Sequence, residues 1–491
     1  MGTYFFYRIE MVNIILKAFD GPLHKKIVTE AFLNRKIGKC ISITNGEEYT
    51  PDIDAQDIQW MSAKDLRAGR YPEIDWTKYK PLDEKLIEKM RHCEIGFLSM
   101  IERYALHGEI PYRERRQQYL DHLRYWNHTL ENEDINLLLL FHAPHQCYDY
   151  VIYMLCKLKG IPTYFLEHYL VVDGISLLQD FEISGEQLLP AFKKLQQEYS
   201  DPSLPIPLSQ SYEDFYKVQT TKDIAAQSTP LREKHLTKKH FLTKWYRKGL
   251  STLRHKPKQF FSSLCSANVW SRKLKEHRMT QFYDDHVEKP DFSSPYIYAP
   301  LHMQPEESVS PRGGAFQNQE LIMQMLAAHI PPGVNIYIKE HPAQGELCRS
   351  EEFYRTLLQI PSVKFMPRNT DTFQLMRNAK AVATVTGTVG IEAIFREKPV
   401  LMFGHRFYQY APGIYRIHTN DDCRNAVQSI FQDEETPSLH DLRLFLKAMQ
   451  DASTPYIMKP ATDKQRDLQN TYLIDTGKII HKTLTPLFTE L

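Results

Sequence analysis

Residues 339–404 read KEHPAQGELCRSEEFYRTLLQIPSVKFMPRNTDTFQLMRNAKAVATVTGTVGIEAIFREKPVLMFG. Two short apolar runs, Ala381 to Val385 and Pro399 to Phe403, have the length and bulk of buried parallel strands. Between them lies the turn Thr386-Gly387-Thr388-Val389-Gly390, followed by a helical pattern. A turn of this kind presents backbone N–H groups at a helix N-terminus, where the dipole also favours negative charge, and it suits a phosphate or diphosphate. Glu392 then falls in the first helical turn, placed to accept hydrogen bonds from sugar or ribose hydroxyls. The same residues also fit a plainer role, with Thr388 as an N-cap, Gly390 as a packing glycine and Glu392 as a carboxylate complementing the dipole.

The element before it strengthens the ligand reading. Asn335 to Glu340 is a further strand that ends in His341-Pro342. Ligands of open α/β sheets bind beyond the carboxyl ends of strands, so Lys339, His341 and the 386–390 turn are expected at one crevice. The alternative for His341 is a strand-end histidine bonded to backbone.

Working outward, Tyr296 to Pro300 begins this second α/β region and ends in LHMQPEES, which places Gln304, Glu306 and Glu307 at a strand end. The helix from Asn318 to Ala328, the strand from Val363 to Met366 and the helix starting at Asp371 complete a doubly wound pattern. Toward the N-terminus, Met11 to Phe19, a helix from about His24 to Asn34 and a strand near Cys40 to Ile43 form a βαβ opening. Residues 51–130 are expected to be helix-rich, with a long helix from about Tyr112 to Leu130. Strand Ile135 to Phe141 then ends in His142-Ala143-Pro144-His145, and strand Thr163 to Leu166 ends in Glu167-His168 with Asp173-Gly174 beyond. Carboxylates and histidines at such an edge are the groups that serve as general base or nucleophile in group transfer.

At 491 residues the chain exceeds one ordinary core. The net charge of +1 makes no global case for nucleic acid, and seven cysteines without CxxC spacing indicate neither a zinc site nor a disulfide framework, which fits a reducing cytoplasm. No signal-peptide pattern opens the sequence, and no apolar stretch approaches the roughly 20 residues that span a bilayer. Residues 201–230 have the composition of a linker. Residues 232–278 carry fourteen Lys and Arg against two acidic residues, Glu233 and Glu276. Phe241, Leu242, Trp245, Tyr246 and Leu250 fall at helical spacing among these charges, so an amphipathic helix on an anionic membrane surface is one reading, nucleic acid, with no recognised motif beside it, a second, and a solvated connector the third.

The motifs QPEES, GGAFQNQ, YIKEHP, TDTFQLMRNAKAVATVTGTVGIEA and KPVLMFG, in that order between Tyr298 and Gly404, resemble the bacterial capsule polysaccharide biosynthesis family, which includes proteins similar to capsule-type β-Kdo transferases. The resemblance implies an α/β, GT-B-like chain: two doubly wound Rossmann-like domains facing a cleft, with a basic helical connector. The expected division is an acceptor domain over 1–230, the connector over 231–290, a nucleotide-sugar domain over 291–438 and a helical tail over 439–491. It implies a metal-independent glycosyltransferase of surface polysaccharide, capsular or lipopolysaccharide, peripheral on the inner face of the inner membrane. The donor would be a nucleotide sugar such as CMP-Kdo, the acceptor a glycan or glycolipid, with no nucleic acid and no cofactor. Donor-binding candidates are Gln304, Glu306, Lys339, His341, Thr386, Gly387, Thr388 and Glu392; catalytic candidates are Glu167, Asp173 and His145. A nucleotide-sugar 2-epimerase-like enzyme and a non-catalytic assembly protein remain the alternatives.

Overall fold

The computed structural model describes residues 11–46, 48–71, 74–104, 110–226, 267–344, 349–457 and 463–488. Its strands form two six-stranded sheets, ordered β3-β2-β1-β4-β5-β6 and β12-β11-β10-β7-β8-β9. In the first, β1 (Val12–Lys17), β2 (Ile37–Thr44), β3 (Ala55–Ser62), β4 (Leu137–Leu140) and β5 (Thr163–His168) pair in parallel, and β6 (Ile175–Leu178) closes the edge antiparallel to β5. In the second, β7 (Tyr296–Pro300), β8 (Asn335–Lys339), β9 (Val363–Phe365), β10 (Ala381–Thr384), β11 (Val400–Met402) and β12 (Ile414–Arg416) are parallel throughout. Each sheet is doubly wound, with the strand order reversing once: between β1 and β4, and between β7 and β10. The fold is α/β and GT-B-like in the sense of two Rossmann-like units in one chain.

The central strands form where they do because burial on both faces demands it. All four residues of β4 (LLLL) and of β10 (AVAT) are buried. Register is set by apolar pairs such as Leu16 opposite Leu139 and Ile297 opposite Ile336. Helix limits obey local chemistry. Gly160 ends the helix Tyr148–Lys159 in the left-handed region at φ 70°, and the Asp371 side chain caps the helix Thr372–Asn378 by accepting from Phe373 N–H at 2.8 Å.

The division of the chain differs from the sequence expectation. Of the described residues, one unit gathers those up to 184, apart from Ile110, and those from 449 onward, and the other gathers 185–448. The expected boundary at 230 moves because 201–226 is not merely a linker. Helix Gln210–Thr221 packs Phe215 on Phe395, and Arg443 of helix Leu439–Asp451 reaches Glu213 at 2.5 Å. The tail does not act as one element: helix Asp463–Phe488 returns to the first unit, where Gly477 lies against Ile27 and Glu30, and Arg35 bonds His481 O and Thr485. The strand β3, within 51–130, escapes the sequence reading because it is an edge strand, with one residue of AQDIQWMS buried. Of the basic block, 232–266 lies outside the described residues, including its five helically spaced apolar residues; the rest of the block falls in the helix Ala267–Asp285. Among the described residues no helix is long and apolar enough to cross a membrane.

At the reversal point of the first sheet, Lys17 at the end of β1 meets Asp149 in the first turn of the helix Tyr148–Lys159, Nζ to Oδ2 2.8 Å, with side chains 1% and 0% exposed. The pair holds the Asp149 carboxyl below the usual range against the opposing effect of burial. Lys17→Met strands a buried carboxylate and is expected to destabilise this unit by about 3–5 kcal/mol in urea unfolding, with Lys17→Met/Asp149→Leu recovering most of the loss. Equal stability of the single variant and wild type would show that the pair contributes nothing.

Candidate functional site

The carboxyl edge of the second sheet is the place to look, and its reversal point lies between β7 and β10. Two residues past β7, His302 reaches across that gap. Its Nε2 lies 3.0 Å from Val385 N–H, which donates to it, and 3.0 Å from the Thr384 hydroxyl, which in turn accepts from Gly387 N–H at 3.1 Å. A Cβ at Gly387 would come within 2.5 Å of the His302 ring, so a larger residue there would displace either the imidazole or the turn. Burial lowers the His302 pKa to about 3, with further lowering from His341 and Arg349 nearby. It therefore stays a neutral acceptor beneath the turn.

His341 is held from below. Glu340, fully buried, pairs with Arg349 at 3.0 Å, accepts from Tyr354 OH at 2.6 Å and accepts from the backbone N–H of His341 at 2.6 Å. Arg349 continues to His302 O at 2.8 Å and to the Gln304 side chain. One ion pair thus fixes the residues after β7 and β8 together. The His341 Nδ1 accepts from Ala343 N–H at 3.2 Å, which leaves Nε2 as the protonated, donating nitrogen.

Several donor-binding candidates prove to be used within the protein. The Lys339 ammonium bonds Thr370 O at 2.9 Å and Thr372 Oγ1 at 2.6 Å, toward β9 rather than the turn. Gln304 exchanges backbone and side-chain bonds with Gln344 at 2.8 and 3.0 Å, and its own amide bonds Gln317 O. The Thr386 hydroxyl donates to Ser308 O at 2.5 Å. Glu392 is completely buried, with one oxygen accepting from Ala226 N–H at 2.9 Å. Glu306 is exposed and accepts from the Ser308 hydroxyl. His341, Gly387 and Thr388 remain at the edge, Gly387 as N-cap of the helix Thr388–Ile394. Sequence reasoning misses His302, although it follows β7 as His341 follows β8.

In the first unit, the structure separates the catalytic candidates. His145 lies nearest the reversal point, donating Nδ1–H to Ala143 O at 2.7 Å and helping to lower the Asp149 pKa. Glu167 does not follow β5 but lies inside it, buried and opposite Ser176, because β5 continues into a hairpin with β6. Asp173 is in that hairpin's turn, closed by Tyr169 N–H to Gly174 O at 2.9 Å. Among the described residues no group of three or more His, Cys, Asp and Glu side chains is arranged to hold a metal ion.

The depressed pKa of His302 makes stability depend on pH. Its folded value of about 3 lies below the ordinary 6.5, so the unfolded chain takes up the proton first. The stabilisation is complete above about pH 6.5 and is lost as the pH falls toward 3, at up to about 1.4 kcal/mol per pH unit. His302→Gln should flatten the fall of unfolding free energy between about pH 6 and 4 by up to one proton's worth; an unchanged slope would contradict a neutral buried imidazole.

Residues 199–440 match the capsule polysaccharide biosynthesis protein family. The capsule polysaccharide modification protein LipA of Neisseria meningitidis serogroup A is 28% identical over 137 residues, which are 28% of this chain and 18% of that protein, so the match spans under a fifth of its length. Among solved structures, the β-Kdo 2,7 transferase KpsC of Thermosulfurimonas dismutans is similar at a TM-score of 0.29 and 13% identity, over 80% of this chain and 97% of that one. The UDP-GlcNAc 2-epimerase of Methanocaldococcus jannaschii gives 0.26 and 11%, over 90% and 97%. Anabaena Alr3699/HepE, solved with UDP-glucose, gives 0.25 and 12%, over 97% and 100%. The segment that matches the capsule polysaccharide biosynthesis family, residues 199–440, contains the whole of the second sheet and its edge.

Proposed function

We propose that the protein is a glycosyltransferase of surface polysaccharide synthesis and that the carboxyl edge of its second sheet binds the nucleotide part of a sugar donor. The observation that carries this reading is the convergence of His302, His341 and the turn 385–388 at the β7–β10 reversal point, inside the segment that matches the family. Departure of a nucleotide leaves negative charge on its phosphate. A preorganised N–H donor aimed there stabilises the transition state more than the ground state. His341 Nε2–H is typed and held for that work, and the backbone around Gly387 and Thr388 frames the same place.

Gln304, Lys339 and Thr386 serve this reading as positioning residues, since their polar groups hold the loops from which the ligand would be met. The acceptor, a glycan or glycolipid, is assigned to the first unit, with His145 as the candidate base ahead of Glu167 and Asp173. With its Nδ1–H already given to Ala143 O, its Nε2 is the proton-accepting nitrogen. A CMP-activated acidic sugar such as CMP-Kdo is the donor the motif resemblance favours. An epimerase would act on the donor alone, so dependence of turnover on an added acceptor separates the two activities.

Purified protein is expected to be stabilised by CMP more than by UMP, UDP, CDP or GDP in a thermal-shift panel; at a hundred times the dissociation constant the gain is about 2.7 kcal/mol. A shift confined to UDP would replace the acidic-sugar donor with a neutral one. His341→Ala should lower the transfer rate on the order of a hundredfold while leaving the melting temperature in place, because the residue projects from a strand end. Unchanged turnover in that variant would remove His341 from the mechanism.

A further inference from the structure

On the β11 side of the same turn lies a guanidinium with too few partners. Arg406 lies four residues past the end of β11, and its side chain is 11% exposed. Among the described residues it makes no side-chain hydrogen bond; its one ionic contact is Glu307 Oε1 at 3.8 Å. That same oxygen is already engaged at 2.8 Å by Nε of Arg312, which is 2% exposed. Arg406 therefore meets, at longer range, a carboxylate that Arg312 already holds and that is itself 32% exposed. An arginine presents five N–H donors, and no hydrogen bond among the described residues takes those of Arg406, so they are open to an incoming anion.

The surroundings fix this group relative to the turn. Gly404 fits between the Thr386 methyl and Arg312 O, where a Cβ would meet them at 2.7 and 2.8 Å, and His405 N–H donates to Arg312 O at 2.9 Å. Tyr408, two residues beyond Arg406, donates its hydroxyl to Gly387 O at 2.5 Å. The arginines, the 404–408 segment and the 385–388 turn are one bonded assembly. His302 and His341 stand on its β7 and β8 side, and Arg312 and Arg406 on its β11 side.

We propose that Arg406, supported by Arg312 and Glu307, is a second anion subsite that takes an anionic group of the donor beyond its first phosphate. The subsite rests on the donor-site reading of this edge. The shared chemistry is a planar or tetrahedral oxyanion suited to a guanidinium fork, supplied either by the carboxylate of an acidic sugar on a nucleoside monophosphate or by the β-phosphate of a nucleoside diphosphate.

Calorimetric titration of wild type, Arg406→Gln and Arg406→Lys with CMP, CMP-N-acetylneuraminate, UMP, UDP and inorganic pyrophosphate tests it. Wild type should prefer the member of one nucleotide pair that carries two anionic groups: the CMP sugar over CMP identifies a carboxylate, and UDP over UMP a β-phosphate. Arg406→Gln should lose that preference by about tenfold or more, with affinity for the partner carrying one anionic group within about twofold, and Arg406→Lys should restore part of it. Pyrophosphate should bind wild type more tightly than Arg406→Gln. If all three proteins treat every probe alike while CMP or UMP still binds, the subsite is overturned and the donor reading stands. Should no nucleotide bind but pyrophosphate still discriminate wild type from Arg406→Gln, the donor reading falls and the anion site survives.

Discussion

The buried pair of Glu340 and Arg349 is the constraint on which the second unit's edge depends. A carboxylate at 0% exposure is tolerable only when its charge is matched and its lone pairs are filled. Here the filling groups are Arg349, the Tyr354 hydroxyl and the His341 backbone N–H. Each belongs to a different segment, so satisfying one charge ties the end of β8 to helix Glu351–Leu358 and, through Arg349, to the loop after β7. The first unit meets its own reversal point in the same way, with Lys17 and Asp149. In both units, an ion pair that water does not reach anchors a strand end at the carboxyl edge.

This arrangement divides the polar side chains of the edge by what they can still do. A group whose hydrogen bonds are spent on backbone carbonyls costs too much to redirect toward a ligand, since the carbonyls would be left buried and unmet. Lys339, Gln304 and Thr386 are of that kind, and they set the loops rigidly. Glu392 presents a related case, because its carboxylate faces Ala226 N–H, and helix Gln210–Thr221 with the stretch of chain after it covers that side. Arg396 clamps the same segment by bonding Gln219 and the carbonyl of Lys222.

The double Rossmann plan was legible because buried parallel strands leave an unmistakable mark: LLLL, AVAT and YIYAP are apolar on both faces, and each is punctuated by a helix. The strand-end rule put His341 and the 386–388 turn just beyond the ends of β8 and β10 from sequence alone, and the strands end there. What it could not see is which way a side chain leaves its strand end, and this decided against Lys339, whose ammonium swings to Thr370 and Thr372. Nor could local pattern reveal that 463–488 belongs with the first unit, because contacts such as Arg35 with His481 and Thr485 join residues about 450 positions apart. β3 was lost for a simpler reason: an edge strand with polar residues on its open side lacks the apolar run that marks a central one.

The two sides of the turn differ in how their charge responds to solution conditions, and that difference bears on specificity. His302 is kept neutral by burial, so it contributes shape and an acceptor, while His341, with Nδ1 accepting from Ala343 N–H, presents Nε2 as its donor. Arg312 and Arg406 bring two guanidinium groups to the same edge, both in reach of Glu307. A ligand with a single anionic centre can satisfy the histidine side and leave the guanidinium groups as they are. One with two anionic centres can satisfy both, and it gains most where burial is deepest, because Coulombic attraction strengthens as water is excluded. On the proposed reading, discrimination between sugar nucleotides would then rest on the count and spacing of negative groups rather than on recognition of the base.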